Sequence, residues 1–197
     1  LLLVVPVNHP AGRDSTASSW NLATGLGYLL YSSRMAELEG KPPMGIRVLF
    51  AGGEFAPDSE RQVGSELFLE SYYPDRNVAV LYLQLQGVPD TIVLRNGEDN
   101  YFSPYWIIDR LSKCLEEEDI PQILELQYTQ LFRLGILGKQ SMVDDYLRNE
   151  FPAVEVSSKS PETAENVGPE EYNLQINSFF ACIDRFIAKR GGGLPDG

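Results

Sequence analysis

Four kinds of side chain in this sequence have the chemistry for catalysis: a carboxylate at a glycine turn, one histidine, a run of hydroxyls and two thiols. Glu54 stands in AGGEF, at the end of the strand-like run IRVLFA. A carboxylate there can act as a general base if burial raises its pKa, but it needs a metal or a second acid to be useful. His9, in VNHPAGRDSTASSWN, is the single histidine. It follows another strand-like run, at the edge where open α/β sheets carry their sites. Alone, it excludes a two-histidine metal site from this chain. Asp14, Ser15, Thr16, Ser18 and Ser19 precede a helical stretch and suit its N-cap, because their oxygens accept the orphan amide bonds of a first turn. A nucleophilic serine among them would need His9 as its base, and there is no G-x-S-x-G elbow. Cys114 and Cys182 have neither C-x-x-C spacing nor an adjacent histidine, so they read as reduced core thiols rather than zinc or redox ligands. No phosphate-cradling loop of the Walker or dinucleotide type occurs.

The elements that must position these groups alternate in type. LLLVVPV (1–7), GIRVLFA (45–51), NVAVLYLQLQ (77–86) and FPAVEV (151–156) are strand-length apolar runs, joined by weaker ones at 91–95 and 123–130. Helical periodicity covers roughly 18–38, 61–73, 103–118, 139–149 and 169–189. The last helix is the clearest. Ile176, Phe179, Phe180, Ile183, Phe186 and Ile187 recur at spacings of three and four, an apolar stripe along one face. Pro169 with Glu170 and Glu171 marks its start. The alternation predicts an α/β fold with a mostly parallel sheet. Residues 1–190 are expected to form one domain whose N-terminal part lies upstream of Leu1, with GGGLPDG (191–197) as a flexible tail and SSKSPETAENVGPEE (157–171) as a long polar loop.

Composition narrows the partners. Lys and Arg number 16 against 28 Asp and Glu, a formal charge of -12. That balance argues against nucleic acid and anionic membrane surfaces, which need clustered cations. No apolar run approaches the roughly 20 residues of a membrane span, and LLLVVPV lacks the basic start and cleavage site of a signal peptide.

Read in order, several segments resemble the zinc aminopeptidases with two co-catalytic metals, the bacterial leucyl aminopeptidase and aminopeptidase Y group. WNLATGLGYLLYSSRMAE (20–37) is similar to that family's Asp-Asn-Ala-Ser-Gly motif and helix. IRVLFAGGEFAPDSERQVGSELFL is similar to its strand, paired glutamates and Gly-Ser helix start. YLQLQG (82–87), SMVDDYLRNEFPAVEVSS (141–158) and SKSPETAENV (158–167) follow its later elements. The resemblance implies a three-layer α/β/α, zinc-exopeptidase-like fold with a mostly parallel mixed sheet. It also implies which residues line the site: His9, Asp14, Trp20, Asn21, Glu54, Phe55, Gln84 and Ser158. Trp20 falls where the family has its bridging aspartate, Phe55 at a metal-binding glutamate, Gln84 at a metal-binding aspartate, and Ser158 (or Lys159) at the last histidine. Arg13 falls at the first histidine, and Glu54 at the base.

These replacements imply a catalytically inactive domain, close in kind to nicastrin, the transferrin receptor ectodomain and the aminopeptidase-like GPI transamidase subunit. On this reading it uses no cofactor or metal and binds a peptide or protein partner. Without zinc there is no hydroxide at neutral pH and no Lewis acid for the carbonyl. Two alternatives stand beside it: a hydrolase using a displaced set (His9, Asp14, Glu54), and an architectural role through the aromatic stretches YFSPYW (101–106) or ESYY (70–73), which otherwise read as core packing. The resemblance is also to proteins that are commonly exported, or parts of larger membrane-associated assemblies.

Overall fold

A computed structural model describes residues 1–7, 16–40, 44–54, 62–71, 78–85, 87, 89–97, 101–125, 141–158 and 169–188. In chain order the elements are β1 (Leu2–Pro6), α1 (Thr16–Leu38), β2 (Arg47–Ala51), α2 (Val63–Ser71), β3 (Val80–Gln84), β4 (Ile92–Arg95), α3 (Tyr105–Glu117), β5 (Gln122–Leu124), α4 (Asp144–Arg148), β6 (Ala153–Ser158) and α5 (Pro169–Ala188). The strands form one six-stranded sheet in the order β2-β1-β3-β6-β4-β5. All neighbouring pairs are parallel except β4 and β6. The mostly parallel mixed sheet expected from the sequence is therefore what forms.

Strand side chains alternate between two faces, and the core divides accordingly. Leu3, Val5, Leu81, Leu83, Val154 and Val156 join α1, α3 and α5 in one apolar cluster. Leu2, Val4, Val80, Tyr82 and Ala153 join α2 and α4 in the other, through Tyr146, Leu147 and Phe151. Strands covered on both sides read as unbroken apolar runs, which is why VLYLQ and LLVVP carry almost no polar residue. The result is three layers, α/β/α. Every residue of the α5 stripe is buried.

The boundary differences from the sequence reading include three at β6, β5 and α4. β6 runs two residues past Val156 because Ser157 and Ser158 pair with Val93 and Ile92 of antiparallel β4; a backbone ladder, indifferent to side-chain polarity, claims the start of the expected loop. β5 ends at Leu124 and α4 begins at Asp144; the remaining expected positions, 126–130 and 139–140, lie outside the described residues, as does the 191–197 tail. Neither cysteine is in a disulfide and both are buried, and burial pushes the Cys182 thiol up. Among the described residues no helix is long and apolar enough to cross a membrane. The aromatic stretch 101–106 splits in role, with Trp106 packed on the core and Tyr105 77% exposed.

The connections place the site. β1 is followed through α1 by β2 on one side, and β2 is followed through α2 by β3 on the other side of β1. Chain direction across the sheet thus reverses between β1 and β3. Crevices in open α/β sheets form outside the carboxyl ends of the strands at such a switch point.

Candidate functional site at the carboxyl edge of the sheet

Four strands deliver their carboxyl ends to this edge, and the sites read from sequence fall there unevenly. Glu54 follows β2, Gln84 ends β3 and Ser158 ends β6. Trp20 and Asn21 lie in the first turns of α1. His9, Asp14 and Phe55 are outside the described residues.

Glu54 turns inward. Its turn is built on Gly52 and Gly53, the latter at φ 71, a left-handed conformation that glycine adopts without steric cost. The carboxyl group is buried, with Glu54 4% exposed. Oε1 accepts the backbone N–H of Ser65 at 2.7 Å. Oε2 accepts the Ser65 hydroxyl at 2.8 Å and the Tyr82 hydroxyl at 2.8 Å. Ser65 Oγ in turn accepts the Tyr146 hydroxyl at 2.9 Å. Burial, followed by the neighbouring Glu54 carboxylate, pushes the Tyr82 phenol well up, and burial does the same to Tyr146. Both phenols are therefore hydrogen-bond donors throughout the neutral range.

The reason for this arrangement is the head of α2. The first amides of a helix have no intrahelical acceptor, and a negative group there is favoured by the helix dipole. Ser65 is the third residue of α2, so Glu54 caps it from outside the helix. The close approach requires Gly64: a Cβ there would overlap the Gly52 carbonyl oxygen and lie 2.8 Å from Glu54 Oε1.

Asn21 has a comparable task on the other face. Buried in α1, its Oδ1 accepts the Leu85 backbone N–H at 2.7 Å, tying α1 to the end of β3. Gln84 is half-buried and shares the α2/α4 face with Tyr82, two residues before it. It is the register neighbour of Ser157, whose hydroxyl donates to the Val93 carbonyl at 3.4 Å. Ser158 is buried and Trp20 half-buried. Two residues deeper along β6 than Ser157, Glu155 is buried beside Tyr82 and carries an ion pair to Arg95 at 2.6 Å.

The structure thus brings Glu54 together with Ser65, Tyr82 and Tyr146, none of which the sequence reading selects. The Gly-Ser pair opening α2 is the available signal, since a glycine there admits close approach and a serine supplies two donors. A dinuclear zinc site wants carboxylates and imidazoles; among the described residues this edge offers an indole, two amides, hydroxyls and a carboxylate already holding a helix. Among the described residues no group of three or more His, Cys, Asp and Glu side chains is placed to hold a metal ion.

Several solved structures share this architecture. A protein from Bacteroides vulgatus described as a zinc-dependent exopeptidase aligns at TM-score 0.58 and 15% identity, over 96% of this chain and 66% of its own. A zinc-dependent exopeptidase from Parabacteroides distasonis aligns at TM-score 0.52 and 13% identity, over 96% and 73%. The LapA aminopeptidase of Legionella pneumophila aligns at TM-score 0.55 and 14% identity, over 97% and 52%. The chain therefore spans about half to three-quarters of the length of these proteins. At such identities the likeness establishes the fold, which is zinc-exopeptidase-like. No curated protein matches the chain in sequence. Residues 35–180 match the first-domain profile of the TP_0564 family, and the chain belongs to that family.

Proposed function

We propose that this chain is a catalytically inactive aminopeptidase-like domain that binds a peptide or protein partner at the carboxyl edge of its sheet, without a metal. One observation carries the reading: the carboxylate at the position of the base, Glu54, is buried and spent on Ser65 and Tyr82. A general base must be within hydrogen-bond reach of the proton it takes from substrate or water. Here both oxygens point into the α2 junction. Trp20, Gln84 and Ser158, at positions where the resembled family binds zinc, add an aromatic surface, an amide and a hydroxyl. An amide both donates and accepts, which suits the backbone of a bound peptide, and such mixtures line recognition pockets.

The test pairs calorimetric zinc titration with turnover of aminoacyl and peptide substrates. The reading expects no stoichiometric zinc site and no turnover with or without added metal. Tight zinc binding accompanied by hydrolysis that Glu54→Gln abolishes would sink it. Binding itself is read from Trp20 emission in a Trp106→Phe background as pooled peptides are added. A shift that Gln84→Ala weakens supports the cleft as the binding surface, and an unchanged spectrum counts against it.

A further inference from the structure

Cys114 and Cys182 are far apart in sequence, on helices that the fold makes neighbours. α3 and α5 pack together on one face of the sheet. Both cysteines lie in the apolar cluster the two helices share, and both are fully closed to solvent.

Two contacts across the helix pair locate the thiols. The Arg110 guanidinium lies 5.0 Å from the centre of the Phe186 ring. Arg185 pairs with Glu117 at 3.2 Å and with Glu118 at 2.6 Å. On α3 these partners fall one turn before and one turn after Cys114. On α5 both come from the turn that begins at Cys182. That turn therefore crosses α3 opposite Cys114. Burial pushes the Cys182 thiol up, and the nearness of Cys114 adds to the shift.

Helices in contact have axes about 8–10 Å apart, and their Cα atoms lie on a radius of about 2.3 Å. Facing Cα atoms at a crossing are then about 3.5–5.5 Å apart, which overlaps the span of about 4.4–6.8 Å that a disulfide takes. Two thiols are too few to hold a structural metal on their own. Among the described residues no group of three or more His, Cys, Asp and Glu side chains is placed to do so.

We propose that Cys114 and Cys182 are a redox pair, closing under oxidising conditions into a disulfide that staples α5 to α3. The oxidant is a small-molecule disulfide of the glutathione type. One protein thiol releases its proton, and its thiolate attacks the external S–S bond. That bond breaks, and the departing thiolate takes up the proton. The second protein thiol loses its proton in turn and attacks the protein-bound sulfur of the mixed disulfide, expelling the second external thiol. The pair gives up two electrons and two protons, and one external disulfide becomes two thiols. Exchange is slow in the folded state, because the sulfurs are closed to solvent and a protonated thiol is no nucleophile. The bond therefore closes as the chain folds, before α5 seals the pair.

Refolding the reduced chain in a buffer of reduced and oxidised glutathione, then alkylating it in denaturant, tests this by intact mass and peptide mapping. The expected product is a single chain that takes no alkyl group, with the peptides of Cys114 and Cys182 joined until dithiothreitol is added. Its Tm is expected to lie about 5–15 °C above that of the reduced chain, because closing the long loop between the two residues restricts the unfolded state. Cys114→Ala and Cys182→Ala are each expected to abolish this difference, so either decides the matter if the other fails to fold. Two alkylated thiols after refolding, glutathione held on separate cysteines, or bonds only between chains overturns the proposal. So does a bridged chain that melts no higher than the reduced one, or a difference in Tm that survives the substitutions.

Discussion

Replacing Glu54 with glutamine separates an anchoring carboxylate from a catalytic one. The two side chains have the same shape, so the change acts on charge and hydrogen bonding alone. Oε1 can still accept the Ser65 N–H. At the Oε2 position an NH2 group would meet two hydroxyls, Ser65 and Tyr82, that both donate in the wild type at 2.8 Å. Ser65 already accepts from Tyr146, so it has little freedom to reverse. Two charge-assisted bonds, each about 1.5–3 kcal/mol, give way to neutral ones of about 0.5–1.5, and one buried donor loses its partner. The net cost is about 3 kcal/mol, which for a chain of this size lowers Tm by roughly 6–12 °C. Urea unfolding with calorimetry measures both quantities. Tyr82→Phe removes one of the conflicting donors, so it should cost less in the Glu54→Gln background than alone. A coupling of about 1 kcal/mol or more is expected from the double-mutant cycle. Glu54→Gln within about 0.5 kcal/mol of wild type, or strict additivity with Tyr82→Phe, would refute the anchoring role.

Other sites give sharper or gentler outcomes. Gly64→Ala drives a Cβ into the Gly52 backbone; displacement of the head of α2 should cost about 3 kcal/mol, seen as a lower urea midpoint. Arg95→Met strips the partner from buried Glu155; a loss of about 3 kcal/mol is expected, largely relieved by adding Glu155→Gln. Asp184 accepts the Tyr28 hydroxyl at 2.8 Å, yet burial holds its carboxyl above the usual range. The native state then holds its proton more tightly than the unfolded chain, so stability is fullest below the ordinary aspartate pKa and falls as pH rises through the native value. Asp184→Asn should therefore be more stable than wild type at pH 7, by less than about 1 kcal/mol because the group is partly solvated. That gain should vanish near pH 3.

The sheet was legible because strands covered on both faces have to be apolar throughout, and LLLVVPV, IRVLFA and NVAVLYLQLQ are. α5 was legible from its stripe for the same reason at helical period. Ser157 and Ser158 were not, since a ladder to β4 is formed by backbone atoms and leaves no trace in side-chain polarity. The position of Glu54 could be read from its glycine turn. Its partners could not: Ser65, Tyr82 and Tyr146 come from three elements, and the Ser65–Tyr146 bond joins residues 81 apart. Tyr82 inside VLYLQ looks like one more core aromatic until the fold brings its hydroxyl to a carboxylate.

That geometry gives residue 54 a reason to be acidic that is independent of chemistry on a substrate. In a parallel sheet each crossover helix running from the carboxyl edge presents its orphan amides to the same region where ligands bind. An acid in the preceding turn has two competing uses: it can face the crevice, or it can close on the helix. At α2 the donors of Ser65 sit 2.7 Å and 2.8 Å from the carboxylate, and Tyr82 closes the remaining side, so the helix wins. The neighbouring strand ends carry Gln84 and Ser158, both uncharged, so neither side chain repels the carboxylate at the α2 junction. Persistence of the fold thus needs no metal chemistry at this edge, because the carboxylate at residue 54 is satisfied by the scaffold itself.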